Sequence, residues 1–160
     1  MAQKGNIPMH LGSIYLIVND FGKSIAFYEK LLEIPLESGN NGRFVSFAFE
    51  GHRISLFNAR FDAKNPDKVV RKGEDAEVSG ETLRVIAAAP NTHKFAFNFW
   101  IEDLRAEYER VKGLNITENL TKIKYVYYVA PYYYFQLTDP DGNMIEVTGS
   151  YTPQNGEFDE

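Results

Sequence analysis

The first half of the chain carries an alternating pattern followed by helical spacing, which predicts one helix among four strands. Residues 13–18 alternate between an apolar face and a mixed face, as in a strand with one buried side. Apolar side chains then recur at helical spacing from Ile25 to Leu32, after Asp20 as the candidate N-cap. Three further strands are expected, over residues 34–37, 44–49 and 53–57. The predicted order of this half is β-α-β-β-β.

The second half of the chain repeats this order. Residues 95–101 alternate, and a helix with Asp103 as candidate N-cap is expected to end at Gly113. Strands are expected over residues 123–129, 132–138 and 144–148. Before the last strand, residues 139–143 (Asp-Pro-Asp-Gly-Asn) predict a turn in which the glycine or the asparagine takes a positive φ.

The similarity of the two halves predicts a duplicated unit. The stretch Ile17-Val18-Asn19-Asp20-Phe21 corresponds to Trp100-Ile101-Glu102-Asp103-Leu104, and one such half could not bury its sheet alone. The predicted parts are a first module (1–60), a connection (61–92), a second module (93–150) and an acidic tail (151–160). The connection, with a strand or short helix near Leu83–Ala88, is interpreted either as a cover over a site or as a disordered linker. The tail is expected to be a solvated end.

Composition narrows the classes of function. The chain has 160 residues, enough for one compact unit or two half-domains, and a formal net charge of -5. Lysine and arginine are scattered among acidic residues, so no basic stripe is available for nucleic acid. There is no cysteine, which excludes thiolate chemistry. With no leader-like start and no long apolar run, we expect a cytoplasmic protein without a membrane partner.

Three motifs together resemble the glyoxalase, bleomycin-resistance and extradiol-dioxygenase (vicinal-oxygen-chelate) superfamily. They are Val18-Asn19-Asp20, then Ser24-Ile25-Ala26-Phe27-Tyr28-Glu29-Lys30-Leu31-Leu32, and finally Asp139-Pro140-Asp141-Gly142-Asn143-Met144-Ile145-Glu146. The resemblance covers nearly the whole chain outside the connection and the tail. It implies an α+β fold in which two βαβββ modules form a curved mixed sheet, the cup, with helices on its outer face.

Strand alternation indicates which side chains would face that cup. If Ile14, Leu16 and Val18 face the helices, the intervening residues face the pocket, and the same parity applies to the other strands. The expected ligand-binding residues of the cup are Ser13, Tyr15, Arg53, Ser55, Ala96, Asn98, Trp100, Tyr134, Gln136 and Glu146.

The resemblance also implies where a metal would bind. Metal-dependent members hold a divalent ion through histidine or glutamate on the first and last strand of each module. The matching positions here are Ser13, Ser55, Ala96 and Glu146. Because Glu146 is the one metal-ligating side chain among them, we expect no cofactor, with a divalent metal as the alternative. The remaining histidines are interpreted as surface residues: His10, His52 and His93.

Two main classes of function follow from the resemblance. The first is a metal-independent protein that binds a small aromatic or cationic molecule, which Trp100 and the many tyrosines favour. The second is a metal-dependent lyase or ring-cleaving dioxygenase, against which the missing ligands count; a metabolite-binding regulatory module is a third. Glu146 is the candidate catalytic residue, as a general base. Its alternative roles are binding a cationic ligand group and pairing with Arg53.

The expected partners are a small-molecule ligand and a second copy of the chain. Homodimers are common in the family that the motifs resemble. An aromatic outer surface would favour pairing, and the candidates for it are Tyr125, Tyr127 and Tyr128.

Overall fold

The computed structural model describes residues 11–70, 80–91, 94–127 and 130–158. The described elements of the first half are β1 (Ile14–Val18), α1 (Phe21–Leu32), β2 (Ser38–Gly39), β3 (Phe44–Phe49), β4 (His52–Asn58), α2 (Phe61–Lys64) and α3 (Gly80–Ala88). Those of the second half are β5 (Ala96–Ile101), α4 (Leu104–Leu114), β6 (Lys124–Tyr127), β7 (Pro131–Thr138) and β8 (Met144–Gly149). Both halves have the predicted β-α-β-β-β order.

The strands form two mixed four-stranded sheets with the same topology. Sheet 1 has the order β1-β4-β3-β2 and sheet 2 the order β5-β8-β7-β6. The first and last strand of each half pair in parallel, as β1 with β4 and β5 with β8. The remaining pairs are antiparallel. The predicted α+β class and the modular βαβββ fold are confirmed, while the cup, which needs both sheets, stays a prediction.

Contacts divide the chain into two compact units. One unit contains sheet 1 with α2 and most of α3, and the other contains sheet 2 with α4 and also α1. Helix α1 packs within the second unit: the Tyr28 ring lies 6.4 Å from the Phe97 ring, and Arg110 donates to the carbonyl of Leu31 at 2.7 Å. The module boundaries at residues 60 and 93 remain predictions.

Alternation places a buried row of apolar side chains on one face of sheet 2. The buried members are Phe97, Phe135, Leu137, Ile145 and Val147. Each has register partners of the same kind on the neighbouring strand, such as Phe135 with Val147 and Leu137 with Ile145. Because side chains alternate along a strand, the intervening polar residues are held on the opposite face.

The turn before β8 is organised by a buried carboxylate. Asp139 accepts hydrogen bonds from the backbone N–H groups of Asp141 and Asn143, each at 2.9 Å, and from the Tyr28 hydroxyl at 2.8 Å. Gly142 takes the positive φ, at 80°, as the motif predicted. Burial first, and then the carboxylates of Asp139 and Asp141, raise the pKa of Tyr28 well above its ordinary value. The hydrogen bond between Tyr28 and Asp139 thus joins the second and third motifs of the family pattern.

Some element boundaries differ from the prediction. The strand expected over residues 34–37 forms at Ser38–Gly39 instead, after Glu33 with its positive φ of 56°. Helix α4 does not end at Gly113 but continues to Leu114, because Asn115 takes the left-handed conformation that ends it. Asp103 caps that helix as expected, accepting from the N–H of Ala106 at 3.0 Å. Residues 128–129 of the expected sixth strand lie outside the described residues.

In the described residues the connection contains two helices, and the tail makes contacts within its own unit. The helix near Leu83 is α3, and it begins close against α2: a Cβ at Gly80 would lie 2.3 Å from the backbone N of Ala63. In the tail, Arg105 donates to Glu157 at 2.9 Å, and the Phe158 ring lies 5.8 Å from the Tyr133 ring. The tail is therefore anchored at Glu157 and Phe158.

Candidate functional site

The exposed face of sheet 2 carries a hydrogen-bonded group of side chains around Glu146. Its Oε1 accepts from Asn98 Nδ2 at 2.8 Å and from the Tyr132 hydroxyl at 2.8 Å. Its Oε2 accepts from Gln136 Nε2 at 3.0 Å, and Gln136 Oε1 accepts from Lys124 Nζ at 3.0 Å. We call these five residues the Glu146 cluster. They hold the carboxylate in one orientation, because each of its oxygens has a donor.

Strand register positions the cluster. Asn98 on β5 is the partner of Glu146 on β8, and Glu146 is the partner of Gln136 on β7. Three side chains in one row across three strands point to the same face, so their polar ends meet without any special backbone conformation. The cluster forms because each of these strands has a polar residue at the position that faces outward in this row.

Aromatic rings border the cluster. Trp100 follows Asn98 by two residues on β5, shares its face and is 67% exposed. The Tyr132 and Tyr134 rings are 5.4 Å apart, and Lys124 Nζ lies 5.6 Å from the centre of the Tyr134 ring. The face therefore offers one carboxylate with ordered partners and several accessible ring surfaces.

The equivalent row of sheet 1 consists of hydroxyl groups. Ser55 on β4 pairs in register with Tyr15 on β1 and with Ser46 on β3, and Ser46 pairs with Ser38 on β2. The Ser46 and Ser55 hydroxyls are buried and 2.8 Å apart. We call these four residues the hydroxyl row. It is the counterpart of the row formed by Asn98, Glu146 and Gln136, without a carboxylate.

Arg53 lies on the same face of sheet 1 and is already paired. Its Nε donates to Glu37 Oε2 at 2.8 Å, and both side chains are partly exposed. The hydrogen bond with Glu37 raises the pKa of Arg53, and that with Arg53 lowers the pKa of Glu37. Pairing with Glu37 thus occupies the arginine that the sequence offered as one possible partner of Glu146.

The structure brings together some of the predicted site residues and adds others. Asn98, Gln136 and Glu146 are joined directly in unit 2, where Trp100, Tyr134 and the exposed Ala96 share their face. Ser13, Tyr15, Arg53 and Ser55 belong to unit 1. Sequence reasoning missed Tyr132, Lys124 and Ser46. The alternation of β7 could have indicated Tyr132, whereas Lys124 needs the register between β6 and β7.

The donors at the family's metal positions do not fit a metal ion. Ser13, Ser55 and Ala96 provide hydroxyls or a methyl group, which are poor ligands for first-row metals, and Glu146 is the one carboxylate. Within the described ranges, no three side chains of histidine, aspartate or glutamate lie together as an ion-binding group. His52 is exposed at the start of β4, and His10 and His93 lie outside the described residues. That the protein uses no metal stays a prediction.

The duplicated βαβββ architecture defines a class of α+β proteins built from two equivalent modules. The sequence profile of the Glyoxalase/Bleomycin resistance protein/Dioxygenase superfamily matches residues 10–147. The chain belongs to this superfamily. A comparison with curated proteins finds no match.

Solved structures support the fold. A lactoylglutathione lyase from Agrobacterium tumefaciens is 16% identical, with a TM-score of 0.57 over 90% of this chain and 96% of that one. A protein from the mobile metagenome of V. Pseudocholerae is 21% identical, with a TM-score of 0.57 over 91% and 97%. A glyoxalase-related enzyme from Fulvimarina pelagi is 14% identical, with a TM-score of 0.58 over 89% of each chain. At these identities the likeness concerns the fold alone.

No helix among the described residues combines the length and the apolar character needed to cross a membrane.

Proposed function

We propose that the protein binds a small, planar, cationic molecule on the Glu146 face of sheet 2 without using a metal. The observation that carries this proposal is the Glu146 cluster itself: an ordered carboxylate beside an indole that is 67% exposed. A large aromatic side chain left open to water on a strand is a typical contact surface for a ring-shaped ligand.

Glu146 supplies the electrostatic part of the proposed site. The cationic member of the cluster, Lys124, donates to Gln136 Oε1. The three direct donors to Glu146, which are Asn98, Tyr132 and Gln136, are neutral and leave the carboxylate its negative charge. A cationic ligand neutralises this charge, and its ring can stack on Trp100 or the tyrosines. The orientation of the carboxylate is fixed beforehand, which lowers the entropic cost of binding.

Glu146 also bears on the alternative of catalysis. A general base needs a proton to abstract within hydrogen-bonding reach, and its lone pairs must be available to accept it. Here Asn98, Tyr132 and Gln136 already engage both carboxylate oxygens. This geometry favours binding over proton transfer. The residues at the family's metal positions, with Glu146 as the one carboxylate, argue against a metal-dependent lyase or dioxygenase.

Calorimetric titration with 1-methylquinolinium tests the proposal, with neutral quinoline as the matched uncharged probe. We expect saturable binding of the cation and weaker binding of quinoline. Glu146→Gln keeps the shape of the side chain but removes its charge, and should weaken the cation about tenfold, since a hydrogen bond or ion contact to a charged group contributes about 1.5–3 kcal/mol. Trp100→Ala should weaken both probes.

The control is Glu109→Gln, which removes one charge from the exposed face of α4. This variant should bind 1-methylquinolinium like the unaltered protein. If Glu109→Gln weakens the cation as much as Glu146→Gln does, the effect is one of net charge and the proposed site is wrong. Absence of saturable binding of both probes would also refute the proposal.

We further propose a cytoplasmic homodimer as the working form. The edge strand β6 supports pairing, because its Tyr125 is 43% and its Val126 50% exposed. Sedimentation of the unaltered protein and of Val126→Lys would test it: the variant should be monomeric if β6 forms the interface.

A further inference from the structure

A pocket lies on sheet 1, in a chemical environment different from that of the Glu146 cluster. Its volume is about 390 Å³, within the usual size range of small-molecule pockets. The residues that line it are Gly12, Ser13, Ser38, Gly39, Asn40, Phe44, Ser46 and Arg53. Among the described lining residues the one charged side chain is Arg53, whose charge is balanced by Glu37 beside the pocket.

The polar neutral side chains of the lining can donate hydrogen bonds, and no carboxylate is among the described lining residues. Ser13, Ser38 and Ser46 each contribute a hydroxyl, and Ser38 and Ser46 are register partners within the hydroxyl row. In the contact between Ser46 and Ser55 either hydroxyl can donate. When Ser55 donates, the hydrogen of Ser46 is available to the pocket while its oxygen is satisfied.

An apolar wall accompanies these donors. Phe44 lines the pocket, and its ring contacts the Tyr15 ring edge-on with the centres 6.1 Å apart. A ligand with a charged head and a small apolar body therefore has a surface for each part.

We propose that this pocket binds the carboxylate or phosphate group of a small molecule, held by Arg53 and the hydroxyls of Ser13, Ser38 and Ser46. In metal-dependent relatives the position of Ser13 carries a side chain that binds the metal ion. In this chain the same position would contribute to an anion site. This site shares no residue with the Glu146 cluster, and none of the contacts of that cluster is used to support it.

Glu37 is the internal competitor of the proposed ligand. It occupies Arg53 through Nε at 2.8 Å and Nη2 at 3.4 Å, the two-pronged geometry that an incoming carboxylate would also use. The pair is partly exposed, so it is weak enough to be exchanged. Removing the charge of Glu37 should therefore strengthen anion binding, whereas removing that of Arg53 should abolish it.

The test is titration of the whole protein with benzoate and, separately, with inorganic phosphate, followed by calorimetry at constant ionic strength in chloride. We expect saturable binding of at least one probe, and the stronger one distinguishes a carboxylate ligand from a phosphate ligand. Arg53→Gln should weaken it about tenfold or more, as expected for loss of a charged hydrogen bond, and Glu37→Gln should strengthen it severalfold.

Matched controls come from the exposed pair Arg84 and Glu81 on α3, 2.9 Å apart. Arg84→Gln changes the net charge by the same amount as Arg53→Gln, and Glu81→Gln by the same amount as Glu37→Gln. Both controls should leave anion binding unaltered. Failure of both probes to bind, or equal effects of the Arg53 and Arg84 variants, would overturn the proposal. Equal affinities of Glu37→Gln and the unaltered protein would do so as well. Absence of anion binding in a protein that still binds 1-methylquinolinium would refute this site alone, so failure of one site is distinguishable from failure of the other.

Discussion

Replacing Tyr28 with phenylalanine should destabilise the protein by about 2 kcal/mol. The Tyr28 side chain is completely buried, and its hydroxyl donates to the buried carboxylate of Asp139 at 2.8 Å. Hydrogen bonds to charged groups contribute about 1.5–3 kcal/mol. Asp139 keeps its donors from Asp141 and Asn143, which places the expected loss in the middle of that range. For a chain of this size the melting temperature should fall by roughly 4–8 °C.

Urea unfolding at neutral pH is the assay for this prediction. The midpoint should fall while the m-value is unchanged, because the surface exposed on unfolding is the same. Tyr108→Phe is the control: the Tyr108 ring packs on Phe135 at 5.4 Å, but its hydroxyl makes no hydrogen bond among the described residues. We expect that control to remain within about 0.5 kcal/mol of the unaltered protein. Equal stabilities of the two variants would refute the reasoning.

The same residue gives the protein a dependence on alkaline pH. Since burial and the nearby carboxylates raise the pKa of Tyr28 when the chain is folded, the unfolded chain releases this proton first. The stabilising contribution is therefore complete below the ordinary tyrosine pKa and decreases as the pH rises above it, by up to about 1.4 kcal/mol per pH unit. Tyr28→Phe should show a shallower loss of stability above pH ~10 than the unaltered protein.

Three further predictions concern the sheet, the tail and the metal. A Cβ at Gly149 would lie 1.9 Å from the Ile101 carbonyl oxygen, so Gly149→Ala should destabilise by more than about 3 kcal/mol in urea, whereas Gly113→Ala, with open space around it, should be neutral or stabilising. Burial and the hydrogen bond with Glu157 raise the pKa of Tyr151 to about 12, and deleting residues 157–160 should return it towards an ordinary tyrosine in an ultraviolet titration. Nickel, zinc, manganese or iron(II) should leave the melting temperature unchanged; a stoichiometric ion with a clear rise would overturn the ligand assignment.

Much of the fold could be predicted from the sequence because its causes are local. The alternation in β5 and β8 and the turn chemistry of residues 139–143 depend on near neighbours along the chain. Boundaries were less predictable where a single backbone conformation decides them. The left-handed conformation of Asn115 ends α4, and nothing in the spacing distinguishes that residue from Gly113.

The candidate site was predictable only as far as strand parity reaches. Parity placed Asn98, Gln136 and Glu146 on one face, and the register brings their polar atoms together. Tyr132 has the same parity, but it directly follows Pro131, and a proline can disturb the register of a strand. In the structure Pro131 is the first residue of β7, where its missing N–H is tolerated, so the register continues undisturbed. Lys124 could not be found without the pairing of β6 with β7.

The equivalent rows of the two sheets differ in how well each could accommodate an acidic side chain. Glu146 is partly accessible to water and has donors from three neighbouring side chains, so its charge is solvated by the protein and the solvent together. The equivalent Ser55 is completely buried, with the hydroxyl of Ser46 beside it. A carboxylate placed there would lose its hydration with too few donors to replace it, which disfavours the charged form. An uncharged serine therefore suits this buried position better than a carboxylate would.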